Sequence, residues 1–255
     1  MDKVDAIMSI ENVTKSFGGI KAVNNVSFHI KKGEIKALIG PNGAGKTTLF
    51  NVITKLYSKD EGKVFFLGKD MENYKPYELI GLGISRTFQN IQLIDEMTVI
   101  ENVMLGYHSK MRANVADAFF HLPKNKKAEN EAKERAFESL KFLKIEDTAN
   151  KFPHEIPFGY KRLVEMARAL CIQPDMLLLD EPAAGLNESE TNRLLKTIFR
   201  IWEQNVSILL IEHDMNLVMN CSHSIVAMDE GRKIAEGPPS YIQNNEDVLK
   251  AYFGK

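Results

Sequence analysis

An α/β fold built on a mainly parallel sheet is the expectation that three stretches of this sequence impose. The apolar run Ile35 to Ile39 leads into Gly40-Pro41-Asn42-Gly43-Ala44-Gly45-Lys46-Thr47-Thr48 and on into a helix-like run, Thr47 to Leu56. Met176 to Leu179 and Val206 to Ile211 are short apolar runs that stop at Asp180-Glu181 and at Glu212-His213-Asp214, and Glu188 to Trp202 between them reads as a helix. Strands that alternate with helices build parallel sheets, and such sheets bind ligands at the carboxyl ends of their strands. The glycine-rich loop, Asp180-Glu181 and His213 all follow strands, so all are expected at that one edge.

Ahead of the loop, Ile7 to Phe17 and Val23 to Ile30 alternate apolar and polar residues as half-buried strands do, with Gly18-Gly19 between them. Asp60-Glu61-Gly62 predicts a turn and Lys63 to Leu67 another short strand, so the opening combines antiparallel strands with a strand–loop–helix unit. From about Pro76 to about Pro157 strands fade. Glu96 to Tyr107 and Lys124 to Lys144 read as helices, the second with Ala128, Ala132, Ala136, Leu140 and Leu143 on one stripe. A helical insertion is expected there. Gly159 to Ile172 is helical again; Leu194, Leu195, Ile198 and Trp202 share a face of the helix after Asp180; Met215 to Cys221 is a helix and Ile225 to Met228 a strand.

A chain of 255 residues can bury a sizeable core, as one large domain or one domain with a subdomain. Lysine plus arginine (33) nearly equals aspartate plus glutamate (34), which argues against a nucleic-acid partner held by net charge. The opening Met1-Asp2-Lys3-Val4-Asp5 has no apolar segment of the secretory kind, and no apolar run approaches the length of a membrane span. Cys171 and Cys221 lie far apart in apolar surroundings, as buried thiols in a reducing compartment do.

The loop fits G-x-x-x-x-G-K-[ST] in its strand–loop–helix context, which makes it a phosphate site. Gly40, Gly43 and Gly45 free the backbone to turn successive N–H groups inward, and the following helix start adds positive potential. Asn42, Ala44 and Thr48 complete the loop. Lys46 is expected to reach the outer phosphates and the Thr47 hydroxyl to hold Mg²⁺. Asp180, at a strand end beside that loop, can hold Mg²⁺ directly or through water, and Glu181 can polarise a water for attack on the γ-phosphate.

In this order the motifs resemble those of the ATP-binding cassette (ABC) ATPases. The residues that carry the resemblance are Phe17, Gly40 to Thr48, Gln89 in Arg86-Thr87-Phe88-Gln89, Ile156-Pro157-Phe158-Gly159-Tyr160, Asp180-Glu181-Pro182, Ala184-Gly185-Leu186-Asn187 and His213. Within the family the chain is most similar to the ATPases of branched-chain amino acid importers. Gly83 to Gln89, Met97 to Val103, Glu181 to Asn187, Ile211 to Met215 and the ending Asp247 to Gly254 carry that narrower likeness.

The resemblance implies one ABC ATPase domain over 1–255. Its RecA-like core and antiparallel β subdomain would occupy 1–88 and 173–255, and its helical signature subdomain 89–172. It implies that Phe17 stacks on adenine, against the alternative of an ordinary core phenylalanine. Gln89 would sense Mg²⁺ and the attacking water, and His213 would contact the γ-phosphate. Pro157, Phe158, Gly159 and Asn187 would bind nucleotide, the signature segment facing the phosphate loop of a second ATPase subunit. ATP and Mg²⁺ are then the cofactors, permease subunits the membrane partners, and the cytoplasmic face of the inner membrane the location of a peripheral subunit.

The expected function is ATP hydrolysis that energises import of branched-chain or related amino acids. The alternatives are a nucleotide-gated switch with weak hydrolysis and the ATPase of a lipid or polysaccharide exporter. The family's signature reads Leu-Ser-Gly-Gly-Gln. Pro157, Phe158 and Tyr160 depart from it, and Asn187 stands where many members have aspartate. Branched-chain importer ATPases share the asparagine and an aromatic at the Phe158 position. The segment Gln89 to Tyr107, with Ile91, Leu93, Ile94 and Met97, is read either as a permease-docking surface or as internal packing.

Overall fold

The computed structural model describes residues 6–110 and 123–254; side chains at 108–110 and 123–127 lie outside that description, as does the opening segment read above for a secretory signal. The described residues begin with a hairpin, β1 (Ala6–Phe17) against β2 (Ile20–Lys31), turned by Gly18 and Gly19 at φ 51° and 87°. β3 (Ile35–Ile39) is buried along its whole length and feeds α1 (Lys46–Ile53). β4 (Glu61–Phe66) and β5 (Lys69–Asp70) return to the hairpin, giving an antiparallel sheet in the order β2-β1-β4-β5. α2 (Leu79–Leu82) leads into β6 (Ile84–Arg86).

The middle of the chain supplies α3 (Val99–Met104), α4 (Pro123–Phe142) and α5 (Phe158–Leu170). β7 (Met176–Asp180), α6 (Glu188–Trp202), β8 (Ser207–Ile211), α7 (Met215–Cys221) and β9 (Ser224–Asp229) then alternate. β10 (Arg232–Gly237), α8 (Pro239–Ile242) and α9 (Glu246–Phe253) close the described chain. The second sheet runs β10-β9-β3-β8-β7-β6, parallel throughout except for β10.

Side chains alternate across a strand, so each parallel strand serves two cores. Leu177 and Leu179 of β7 face α3, α5 and α6, with Val103, Val164 and Ile198 in the same buried cluster. Met176 and Leu178 face the other way, onto α1 and the antiparallel sheet, with Phe50, Ile10 and Phe66. A smaller cluster joins Ala37, Ile39 and Ile225 to Ile242 and Val248 of the last two helices. The stripe expected on α4 is buried at Ala132, Ala136, Leu140 and Leu143, while Ala128 is half-buried.

Three elements differ from the sequence reading. The sequence shows strands fading from Pro76, yet β6 lies in that span, paired to β7 through Ile84–Met176 and Arg86–Leu178. Three residues are too few to display a period, and Gly83, at φ 97°, ends α2 immediately before them. β10 was missed because an edge strand needs little apolar character, and here only Ile234 and Ala235 supply any. The helix read from Glu96 starts at Val99. Thr98 is its N-cap, in a capping box with Glu101, and after Met104 the chain tightens into a 3₁₀ turn over Leu105–Lys110. No helix among the described residues is long and apolar enough to cross a membrane.

Candidate nucleotide site

The phosphate loop is wedged against its neighbours so closely that two of its residues have to be glycine. A Cβ on Gly40 would overlap the Met228 carbonyl oxygen of β9, and one on Gly45 would overlap the Ala22 carbonyl oxygen of β2. Both carry φ values, 152° and 93°, that L side chains rarely adopt. The outer side of the loop is tied down: Gly231 N–H donates to Ala44 O (3.1 Å), and Gly40 N–H donates to the Tyr252 hydroxyl of α9 (2.8 Å). The inner side is free. The backbone N–H groups of Asn42, Gly43, Gly45, Lys46, Thr47 and Thr48 have no acceptor among the described residues, and Gly45 offers no side-chain cap to α1. Six unsatisfied donors at a helix start are what an anion completes.

Lys46 is buried and folds back onto its own loop, donating to Gly40 O (2.6 Å) and Pro41 O (3.0 Å). Burial pushes its ammonium below the usual lysine range, and the nearby Glu181 charge opposes that. The Thr47 side chain is exposed.

The sheet order places the other candidates beside the loop. β8 lies between β3 and β7, and Ile211 is level with both Leu38 and Asp180. The loops that follow these three strands therefore leave the sheet together. Asp180 is buried, and its Oδ2 accepts from Arg86 Nη2 at 2.8 Å. Burial raises its pKa, opposed by Arg86. Arg86 also donates to Asn51 Oδ1 of α1 and to Oγ1 of its C-cap Thr54, so one guanidinium ties β6, β7 and the helix after the phosphate loop together. Glu181 follows in the left-handed region, φ 45°, with its N–H donating to Ile211 O. Its Oε2 accepts from Gln89 Nε2 at 2.8 Å, and His213 Nδ1 lies 3.6 Å from the same oxygen. Gln89, Glu181 and His213, 124 positions apart at the extremes of the sequence, thus converge on one carboxylate oxygen.

The remaining candidates stand apart from that cluster. No hydrogen bond or ion pair among the described residues joins it to Phe17, Pro157, Phe158, Gly159 or Asn187. Phe17 is 45% exposed, edge-on to Tyr57 with ring centroids 5.4 Å apart, and the Lys15 ammonium lies 5.2 Å from its ring. It is not a core phenylalanine. Pro157 is the N-cap of α5, and the N–H groups of Phe158 and Gly159 have no acceptor among the described residues. Phe158 is 48% exposed and its ring lies over Gly185, the position two before Asn187. Asn187 caps α6, its Oδ1 accepting from Glu190 N–H at 3.0 Å in a capping box. Tyr160, unexplained from sequence, lies against Arg193 of α6, whose guanidinium is 4.4 Å from the ring centroid.

Sequence reasoning missed the charged residues that hold this arrangement from within. Arg162, 1% exposed, donates to Phe88 O and Gln89 O (both 2.9 Å) and to Glu165 Oε2 (3.0 Å). Glu165 in turn accepts from Phe88 N–H at 3.3 Å. Burial raises the Glu165 pKa, opposed first by Arg162. The helix after Pro157 therefore grips the backbone on both sides of the Gln89 amide. The available signal was two charges three residues apart in the midst of the apolar Leu163, Val164, Met166 and Ala167.

The match to known proteins covers nearly all of the chain. The family model described as "ABC transporter" matches residues 23–184, and the model described as "Branched-chain amino acid ATP-binding cassette transporter" matches residues 232–255. The chain is 39% identical, over 98% of both sequences, to the high-affinity branched-chain amino acid transport ATP-binding protein BraF of Pseudomonas aeruginosa. It is equally similar, with the same coverage, to LivG, the protein of the same description from Escherichia coli K12. Among solved structures it is similar to a nucleotide-free ATP-binding cassette from an ABC transporter, with TM-score 0.86 and 35% identity over 98% of this chain and all of that one. It also matches a dimeric cassette in a post-hydrolysis state bound to ADP and phosphate, with TM-score 0.76 and 28% identity over 91% of this chain and 98% of that one.

Proposed function

We propose, starting from the fact that this chain belongs to the ABC transporter ATPases, that it energises the import of branched-chain amino acids from the cytoplasmic face of the inner membrane. The observation that carries the reading is the meeting of Gln89, Glu181 and His213 beside a phosphate loop with free inward N–H groups. The substrate class comes from the relatives, BraF and LivG, and from the match of the last 24 residues.

In this reading the free N–H groups of Gly40–Thr48 and the Lys46 ammonium bind the phosphates, and the exposed Phe17 ring stacks on the base. Glu181 takes a proton from the attacking water. Gln89 orients that carboxylate through its amide, and His213 places a donor on the γ-phosphate side. Mg²⁺ fits the donor set. Thr47 offers a hydroxyl, Asp180 an Oδ1 with no partner among the described residues, and Gln89 a carbonyl; all are oxygen ligands, and a magnesium ion keeps several waters besides. When bound it would neutralise charge on the phosphate oxygens.

The domain division follows the same reading: core and antiparallel subdomain at 1–88 and 173–255, helical signature subdomain at 89–172. Pro157, Phe158, Gly159 and Asn187 then belong to the nucleotide of a second ATPase subunit. Their separation from the cluster within one chain and the dimeric relative support that assignment.

A cleft of about 650 Å³ between the two parts, lined by Leu56, Leu79, Phe88, Gln92 and Leu105 among others, is the proposed seat of the permease. Leu93 packs against the core, so it serves folding, whereas Ile94, two residues beyond the cleft-lining Gln92, is exposed and is the residue to test at the rim of that surface. Ile94→Glu is expected to release the subunit from permease-containing membranes while its soluble ATPase activity stays within about twofold of wild type, as a surface change does. Retained membrane association would exclude Ile94 from the docking surface.

The function is tested by reconstituting the chain with its permease subunits and binding protein in vesicles and following ATP-dependent uptake of labelled leucine. Lys46→Ala removes the phosphate counter-charge and is expected to abolish uptake and weaken ATP binding about tenfold or more, the scale of a charge-assisted bond. ATP-driven transport of another solute, with no leucine uptake, would replace the substrate assignment.

A further inference from the structure

Glu212 is a buried carboxylate, 1% exposed, that sits between the two loops of the proposed site and bonds to the backbone of both. Its Oε1 accepts from Ala183 N–H at 2.7 Å, in the turn that begins at Glu181 and closes with Ala184 N–H on Glu181 O. Its Oε2 accepts from His213 N–H (3.0 Å) and Asp214 N–H (3.3 Å). Asp214 then caps α7 through Asn216 and Leu217. His213, exposed and next to Glu212, is thus hung between a buried anchor and a helix cap.

A carboxylate suits this position for a definite reason. All three partners are donors, they lie on opposite oxygens, and an ionised carboxylate accepts on both. Glutamine has the same shape but one accepting oxygen. Its amide N–H₂ would have to face either Ala183 N–H or the pair at His213 and Asp214. A charge held in the interior is expensive unless it is fully hydrogen-bonded. A carboxylate that merely filled space between β8 and the Glu181 turn could be an apolar residue.

We propose that Glu212 is a positioning residue whose carboxylate couples the Glu181 turn to the His213 loop and so sets how Glu181 and His213 approach each other. The inference rests on the reading that these two residues act on the nucleotide. Glu212→Gln in the full-length chain is expected to keep ATP affinity within about threefold, because the phosphate loop is untouched, and to lose about 10²-fold in kcat, the scale of a misplacement near 1 Å. Amide hydrogen exchange at Ala183, His213 and Asp214 should accelerate together, which a filler role on one loop would not produce.

Glu181→Gln, measured beside it, should lose turnover while leaving exchange at those amides as in wild type. If Glu181→Gln loses turnover but Glu212→Gln keeps it, the coupling is overturned and the reading of the site stands. If exchange rises on one loop only, the coupling is likewise overturned. If Glu181→Gln keeps full turnover, the reading falls and the inference falls with it. Should Glu212→Gln fail to bind ATP at all, Glu212→Asp decides by the same two measurements, since it keeps the charge but spans one methylene less.

Discussion

Glu181→Gln is expected to lower steady-state ATP turnover by roughly 10²- to 10⁴-fold, the range for loss of a general base, with ATP binding retained. The argument is geometric. The substitution keeps the side chain's length, and its amide oxygen can still accept from Gln89 Nε2, which now bonds Glu181 Oε2 at 2.8 Å. The contact with His213 loses its carboxylate partner. Lys46 keeps its two carbonyl partners in the loop, so the phosphate cradle stays intact.

A second consequence follows by mass action. If ATP lies between two copies, a variant that binds it without consuming it holds the pair together. Light scattering of Glu181→Gln should therefore show a doubled mass with ATP and a single mass without it, while wild type returns to monomer as ATP is spent. Wild-type turnover in the variant would remove Glu181 from the role of base, and one mass in every condition would remove nucleotide from the interface.

What could be seen in the sequence was whatever is carried by a contiguous run. Ile35 to Thr48 announces a phosphate loop because strand, glycines, lysine and helix stand side by side. Asp180 and His213 were placed at one edge because each ends an apolar run. The resemblance added Gln89, which no local pattern marks, since its partner Glu181 lies 92 positions away. Glu212 was read as one of three polar residues after a strand, and nothing in its neighbours reveals that it is buried while His213 beside it is exposed.

Direction decides that difference. Successive residues leaving β8 point to opposite sides, so the first falls between the loops and the second reaches the exposed side, beside Glu181 Oε2. The signature segment shows the same limit. Phe158 and Tyr160 looked like departures because their partners, Gly185 and Arg193, come from another helix and the turn before it. With a ring over Gly185 and another against Arg193, the aromatic pair fixes α5 to the start of α6 by packing. Pro157 leaves that geometry undisturbed, because an N-cap needs no N–H of its own in the helix.

Arg162→Met is expected to cost about 3 kcal/mol of stability, because it breaks a buried ion pair and leaves Glu165 only the Phe88 N–H and the more distant Arg168 guanidinium, 3.7 Å away. Both side chains are 1% exposed, and their 3.0 Å pairing is the direct ion-pair contact between them. The double variant Arg162→Met with Glu165→Leu removes both charges at similar volume, and replacement of a buried pair by apolar residues is often neutral. Urea unfolding of the double variant should therefore recover most of the loss.

Activity should not recover with it. Arg162 holds Phe88 O and Gln89 O, and Glu165 holds Phe88 N–H; with all three bonds gone, the backbone that aims the Gln89 amide at Glu181 is free to move. Turnover in the double variant is expected to stay about 10²-fold below wild type, as a group displaced by about 1 Å does. Stability regained without turnover identifies the pair as the means by which the signature helix sets the position of Gln89. Wild-type turnover in a stable double variant would show instead that the Gln89 segment holds its place without the pair, through Leu93 packed against the core, Arg168 on Gln92 O and Asn102 on the Ile94 backbone.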